Sequence, residues 1–215
     1  MARHNTRISR RAVVVGGLAV LGAPVAVRAA GLDPALAGLH VEATIDAILK
    51  LVVANRPRAE TAAALDAVLR EKTALPQLAQ FAAGRHWRAM SAAQRDAYVD
   101  AFARYLSRIY AGYFRAFEGD VEDLRRYVHH VGARDAGAKG VMVATEIRPL
   151  DQIAISVEWI VSDRSGRVAI SDLVVEGVSL AVTQREIVGA MLERHHGDVE
   201  AVIADLDRQA PEAQP

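Results

Sequence analysis

No cysteine occurs in the 215 residues. That excludes disulfides, thiolate metal sites, a cysteine nucleophile and lipid attachment through an N-terminal cysteine. Net charge is also missing, since 26 Lys and Arg balance 26 Asp and Glu. The balance is uneven along the chain. Residues 1–29 hold five arginines (Arg3, Arg7, Arg10, Arg11 and Arg28) and no acid, so residues 30–215 carry 21 basic groups, 26 less five, against 26 acidic ones. This body lacks the basic footprint with which a protein displaces counterions, so nucleic acid is not an expected partner. Aromatics make up only 5% of the chain, and internal repeats are lacking. What remains is globular: 52% apolar and 24% charged residues, enough for a substantial core.

The N-terminus reads as a targeting segment. Residues 1–11 are basic, Ala12–Val27 form a 16-residue apolar run, and Val27-Arg28-Ala29 offers compact residues for cleavage. The run is shorter than the about 20 residues a spanning helix needs, and Gly16, Gly17, Gly22 and Pro24 interrupt it. Ser9-Arg10-Arg11-Ala12-Val13-Val14 resembles a twin-arginine export motif, with Val13 where Phe is usual. The expected organisation is a signal peptide over 1–29, one domain over 30–215, and a destination in the periplasm.

Helices come first and strands later. Asp33 as cap and Pro34 at the first helical position open a helix through Val52, and a second starts at Pro57. Ser91 and Gln94 make a capping-box pattern for a helix reaching about Phe117. After Gly119 the period becomes two: Val141–Ile147 and Ile153–Val161 alternate, Arg167–Val175 is the next strand after the Asp163–Gly166 turn, and Tyr127–Val131 is a fourth candidate. Short loops favour antiparallel pairing. Helices over Leu180–Arg194 and Asp198–Leu206 follow. The expected fold class is α+β: an antiparallel sheet of about four strands wrapped by roughly six or seven helices, an NTF2-like cone with an internal apolar cavity.

Candidate chemistry is thin. Gly177-Val178-Ser179-Leu180-Ala181 lies between strand and helix like a nucleophile elbow, but its last residue is not glycine and the sheet is not parallel. Ser179 as N-cap is the simpler reading. His129-His130 and His195-His196 are adjacent pairs whose side chains diverge, so neither chelates a metal locally; no metal or cofactor is expected. Glu42 with Asp46 and Glu118 with Glu122 read as solvated faces. Asp172, among apolar strand neighbours, is either a general base in a cavity or a buried structural carboxylate bonded to backbone or Arg. The structural role is preferred, and an enzyme is not expected.

Ten of the eleven aromatics fall between Phe81 and Tyr127, which suits an apolar cavity lined by one helix. Tyr98, Phe102, Leu106, Ile109, Tyr110 and Tyr113 share one face of it. Facing them would be the odd-numbered residues Ile155, Val157 and Trp159. The order of residues adds a resemblance. Phe81-x-x-Gly84-Arg85-x-Trp87, then Ser91-x-x-Gln94-Arg95, Phe102 and Tyr110, match an F-x-x-G-R-x-W…S-x-x-Q-R…F…Y pattern. Asp172-x-x-x-Glu176-Gly177-Val178-Ser179-Leu180 matches D-x-x-x-E-G-V-S-L, with Arg185 downstream. Together these resemble the MlaC-type periplasmic phospholipid-binding (toluene-tolerance) family, over roughly residues 35–207. Val168 and Ser171 stand where that family often has Trp and Tyr, and Gln184 and Val188 where it often has Tyr and Phe.

The resemblance implies a soluble carrier, not an enzyme. It would shuttle phospholipid between an outer-membrane lipoprotein complex and an inner-membrane ABC transporter with an MCE-domain subunit. A hopanoid- or sterol-type lipid is the variant ligand, since the family includes hopanoid-associated members, and an NTF2-like enzyme with a buried carboxylate is the remaining alternative. Val178 and Leu180 join the helix and strand residues above as expected lipid contacts. Two sixteen-carbon chains left in water would cost roughly 20 kcal/mol at about 0.8 per CH₂, so such a cargo needs an enclosed cavity.

Overall fold

The computed structural model describes residues 31–114, 119–148 and 153–208. The targeting segment, Phe117, Glu118 and the tail from 209 lie outside these residues. Helix α1 (Pro34–Val53) starts as its sequence dictates, with the Asp33 carboxylate accepting from the Ala35 N–H at 2.9 Å and Pro34 in the first turn. Helices α2 (Arg58–Lys72) and α3 (Leu75–Ala83) follow, and a 3₁₀ turn over Gly84–Ala89 leads to α4 (Ala92–Ala111). Both halves of the Ser91–Gln94 capping box are formed, at 3.2 and 3.0 Å. A single turn of helix, α5 (Val121–Arg125), precedes the sheet.

Helix α4 ends at Ala111 rather than continuing to Phe117. The Gly112 N–H bonds the Ile109 and Tyr110 carbonyls, which tightens the last turn and ends the helix. At Gly112 a Cβ would lie 2.8 Å from the Arg58 guanidinium, so α2 and the end of α4 approach closely here because this residue has no side chain.

Five strands form one antiparallel meander, β1 (Val128–Asp135), β2 (Val141–Ile147), β3 (Ile155–Ser162), β4 (Ala169–Val175) and β5 (Val178–Ser179), paired in chain order. The fifth strand is two residues long, too short to show alternation. Gly140 closes the β1–β2 connection at φ +103°, where a Cβ would lie 2.2 Å from the Val161 carbonyl oxygen. Val143, Trp159 and Leu173 sit side by side across β2, β3 and β4. Between Ile160 and Val161 the β3–β4 register slips: Ile160 faces Asp172 while Val161 faces Ile170. This bulge at Ser171 gives β4 one extra residue, so Ile170 and Leu173, three apart, both join the inner face. Helices α6 (Leu180–Arg194) and α7 (Val199–Arg208) complete the chain.

The fold is therefore α+β, with seven helices and five strands among the described residues. The apolar interior comes in three parts. The largest joins α3, α4, α6 and α7 around Tyr98, Phe102, Val188 and Met191. A second packs Val41, Ile45 and Leu49 of α1 on Val143, Val157 and Val161 of the sheet. A third joins Ala62 and Leu65 of α2 to Ala111 at the end of α4. Helix α1 thus covers the part of the inner face formed by Val143, Val157 and Val161, while Trp159, Ile170 and Leu173 face α4 across an open space. Periodicity reveals how wide an apolar face is; it does not name what covers it.

Candidate functional site

A cavity of about 230 Å³ lies where the three apolar clusters meet without merging. Each wall is a helical or strand stripe. Phe102, Leu106 and Tyr110 of α4 are four apart; Leu65, Val68, Leu69 and Lys72 of α2 follow the same helical row; Thr44 and Ile48 come from α1. The sheet contributes Trp159, Ile170 and Leu173, and the first turns of α6 add Leu180, Ala181 and Gln184. Val68, Leu69, Tyr110 and Phe114, all partly buried, form the seam between α2 and the end of α4 on this wall.

The polar groups on these walls are almost all occupied. The Thr44 hydroxyl donates to the His40 carbonyl at 2.7 Å, and the Thr73 hydroxyl to that of Leu69 at 2.7 Å. Trp159 Nε1 donates to Thr145 Oγ1 at 2.9 Å, so the indole shows the cavity carbon only. Lys72 Nζ pairs with Glu71 at 2.8 Å, which holds the Glu71 carboxyl below its usual range. Asp172 accepts from the Leu173 N–H (2.8 Å), the Ala181 N–H (3.0 Å) and the Ser179 hydroxyl (2.6 Å). Burial pushes the Tyr110 hydroxyl up to about 12, against a smaller opposing effect of its hydrogen bond with Gln184. Gln184 Oε1 alone of these wall groups is buried with no partner.

Of the residues expected from sequence, Phe102, Leu106, Tyr110, Trp159 and Leu180 line the cavity. The other six lie elsewhere. Tyr98 is fully buried in the helical cluster, stacked on Phe102 at 6.0 Å and edge-on to Trp87 at 6.3 Å. Ile109 packs against that same cluster. Val157 and Ile155 lie under α1, because α1 occupies the sheet face assigned to α4. Tyr113 is 64% exposed, having passed the end of the helix at Gly112, and Val178 is 57% exposed in the two-residue β5. Sequence reasoning missed the α2 wall and Gln184. For Gln184 a signal existed: it stands midway between Leu180 and Val188 in an otherwise apolar helical row.

The other candidates resolve simply. Ser179 caps α6, its oxygen accepting from the Val182 N–H at 3.1 Å. Asp172 is bonded to backbone and a hydroxyl, and no arginine is among its partners. His195 pairs with Asp205 at 2.5 Å, and Asp46 pairs with Arg125. Among the described residues no cluster of His, Asp or Glu could hold a metal ion, and no helix is long and apolar enough to cross a membrane.

The two sequence patterns converge on one junction. Arg185 Nη1 donates to the Phe81 carbonyl at 2.9 Å, and the guanidinium lies 4.8 Å from the Phe81 ring centre. Gly84, at φ +56°, lies under the same guanidinium; a Cβ there would sit 3.3 Å from it. Arg95 repeats the arrangement on Trp87, at 5.3 Å from the ring and 3.2 Å from its carbonyl. These residues fix α3, α4 and α6 relative to one another, and so shape the cavity without lining it.

A family model described as MlaC protein matches residues 42–208. No curated protein matches the chain. Among solved structures, a phospholipid-binding protein from Ralstonia solanacearum, in complex with a phospholipid, is similar in fold, with a TM-score of 0.63. The identity is 18%, and the match covers 80% of this chain and 94% of that one.

Proposed function

Because the chain belongs to the MlaC protein family, we propose that it is a periplasmic lipid carrier that holds hydrocarbon in the cavity between α2, α4, α6 and the sheet. The observation that carries this reading is the cavity itself, whose walls are apolar and whose polar groups are nearly all turned to partners within the protein. In a bilayer the chains are already out of water, so transfer into such a cavity is close to isoenergetic and the barrier lies in the exposed intermediate. Docking on a membrane partner shortens that exposure. An outer-membrane lipoprotein complex and an inner-membrane ABC transporter with an MCE-domain subunit are the partners this reading assigns. Residues 1–29 serve as the export signal, and 30–215 as the carrier.

Catalysis has little support in this site. The lone pairs of Asp172 are directed at three internal donors, which leaves the carboxylate poorly placed to take a proton from a ligand. Capacity is the more informative quantity. An apolar cavity of about 150 Å³ holds one benzene, so 230 Å³ corresponds to roughly ten carbons on that scale. Longer or paired chains need the walls to part, and the half-buried seam at Val68, Leu69, Tyr110 and Phe114 is where they would do so.

Mass spectrometry of lipid extracted from the exported, purified protein tests the reading. Bound phospholipid in near-stoichiometric amount is expected. Protein that carries no lipid, and takes none up from phospholipid vesicles, would overturn it.

A further inference from the structure

We infer that the cavity selects a single-chain lipid bearing a free hydroxyl next to its hydrocarbon, with Gln184 Oε1 as the acceptor. Gln184 is 6% exposed, lines the cavity and leaves Oε1 without a donor. A buried acceptor without a partner destabilises the empty protein, and a ligand that supplies a donor recovers the loss. Three polar groups of the wall are committed elsewhere. The Thr44 and Thr73 hydroxyls are spent on carbonyls, and Trp159 N–H on Thr145.

Size and position agree with this choice. Space for roughly ten carbons suits part of one chain better than two. Tyr110, to which Gln184 is hydrogen-bonded, belongs to the partly buried seam between α2 and α4. The acceptor therefore stands beside the α2–α4 seam, where the polar end of an inserted chain would come to rest. A glycerophospholipid that has lost one acyl chain has this chemistry: one hydrocarbon tail and a glycerol hydroxyl beside it. A two-chain phospholipid has an ester there and offers no donor.

The inference rests on the lipid-carrier reading, and one titration separates the two. Delipidated protein is titrated calorimetrically with 1-decanol and with nonyl methyl ether, which match in heavy-atom count and differ in the O–H. The alcohol is expected to bind about tenfold tighter, and Gln184→Met to reduce that preference to within about twofold while leaving the empty protein at least as heat-stable. Equal binding of the two probes to the wild type overturns the inference while leaving the carrier reading intact. So does tighter binding of the ether, which would mean that the amide presents its N–H. A preference that survives in Gln184→Met also overturns it. Binding of neither probe overturns the cavity reading and this inference with it. The wild-type comparison alone decides the matter if the variant does not fold.

Discussion

The Asp172 carboxylate and the Ser179 hydroxyl lie 2.6 Å apart, and the same hydroxyl oxygen accepts from the Val182 N–H at 3.1 Å. A strand carboxylate is thereby connected through one hydroxyl to the first turn of α6, the helix that brings Gln184 to the cavity. Asp172 also accepts directly from the Ala181 N–H, and negative charge at a helix N-terminus is favourable. Asp172→Ala strands these donors and is expected to cost about 1–3 kcal/mol, a fall in melting temperature of roughly 2–10 °C. Bound lipid should persist in the folded fraction. Unchanged thermal stability would refute the structural role.

Trp159 and Thr145 make a second buried pair. Thr145 is 2% exposed, and its oxygen accepts the indole N–H that would otherwise face hydrocarbon. Thr145→Val keeps the shape and removes the acceptor. A loss of about 1–3 kcal/mol is expected, together with altered fluorescence of Trp159. A variant as stable as the wild type would show that the indole finds another partner.

Filling the cavity should empty it of lipid without unfolding the protein. Leu69→Trp adds bulk at the partly buried α2 wall. Copurifying lipid is expected to fall several-fold while circular dichroism stays unchanged. Val157→Glu is a poor probe of the same question, since Val157 lies beneath α1 in the sheet cluster and not on the cavity. Wild-type lipid content in folded Leu69→Trp would place the cargo elsewhere.

The His195–Asp205 pair ties the end of α6 to α7. Its hydrogen bond to His195, ahead of the pairing with Arg208, holds the Asp205 carboxyl below its ordinary range. A group depressed in the folded state contributes stability above its unfolded pKa, near 3.9, and loses it as pH falls through the folded value. Asp205→Asn is therefore expected to lower the melting temperature at pH 6–7 and to lose less than the wild type on acidification below about pH 4. Parallel melting curves across that range would exclude the linkage.

Export is expected to depend on Arg10 and Arg11. Replacing both with Lys keeps the charge and removes the dipeptide that a twin-arginine receptor reads. Fractionation should find the precursor in the cytoplasm. Normal export of the double variant would assign the signal to the general secretory route.

Much of the fold was legible because local chemistry decides it. Asp33-Pro34 begins α1, Ser91 with Gln94 begins α4, and Ser179 begins α6, each at the residue its capping chemistry indicates. The alternation in residues 141–147 and 155–161 gives β2 and β3 directly. What was hidden depends on distant partners. The aromatic row Tyr110, Tyr113, Phe114 and Phe117 masked the helix end at Gly112, which Arg58 of another helix makes tight. The bulge at Ser171 depends on pairing with β3, and the Ser171-Asp172 break in the apolar run does not by itself signal an extra residue. One wall of the cavity comes from α2, whose Leu65, Val68 and Leu69 resemble any packing stripe. Of the residues that carried the family resemblance, Phe81, Gly84 and Arg185 hold helices together, while Phe102, Tyr110, Asp172 and Leu180 line the cavity.

The meander also has a kinetic consequence. Every strand pair joins segments adjacent in sequence, so the sheet needs only short loops to close. The cavity instead requires the Ala74 N–H to reach the Ile170 carbonyl at 2.8 Å, and Arg185 to reach back 104 residues to Phe81. Loop-closure entropy makes these contacts the slower ones to form. The sheet is therefore expected to assemble first and the chamber to close last, so that a chain refolded beside membranes can enclose its first cargo as it folds, before any exchange through the seam.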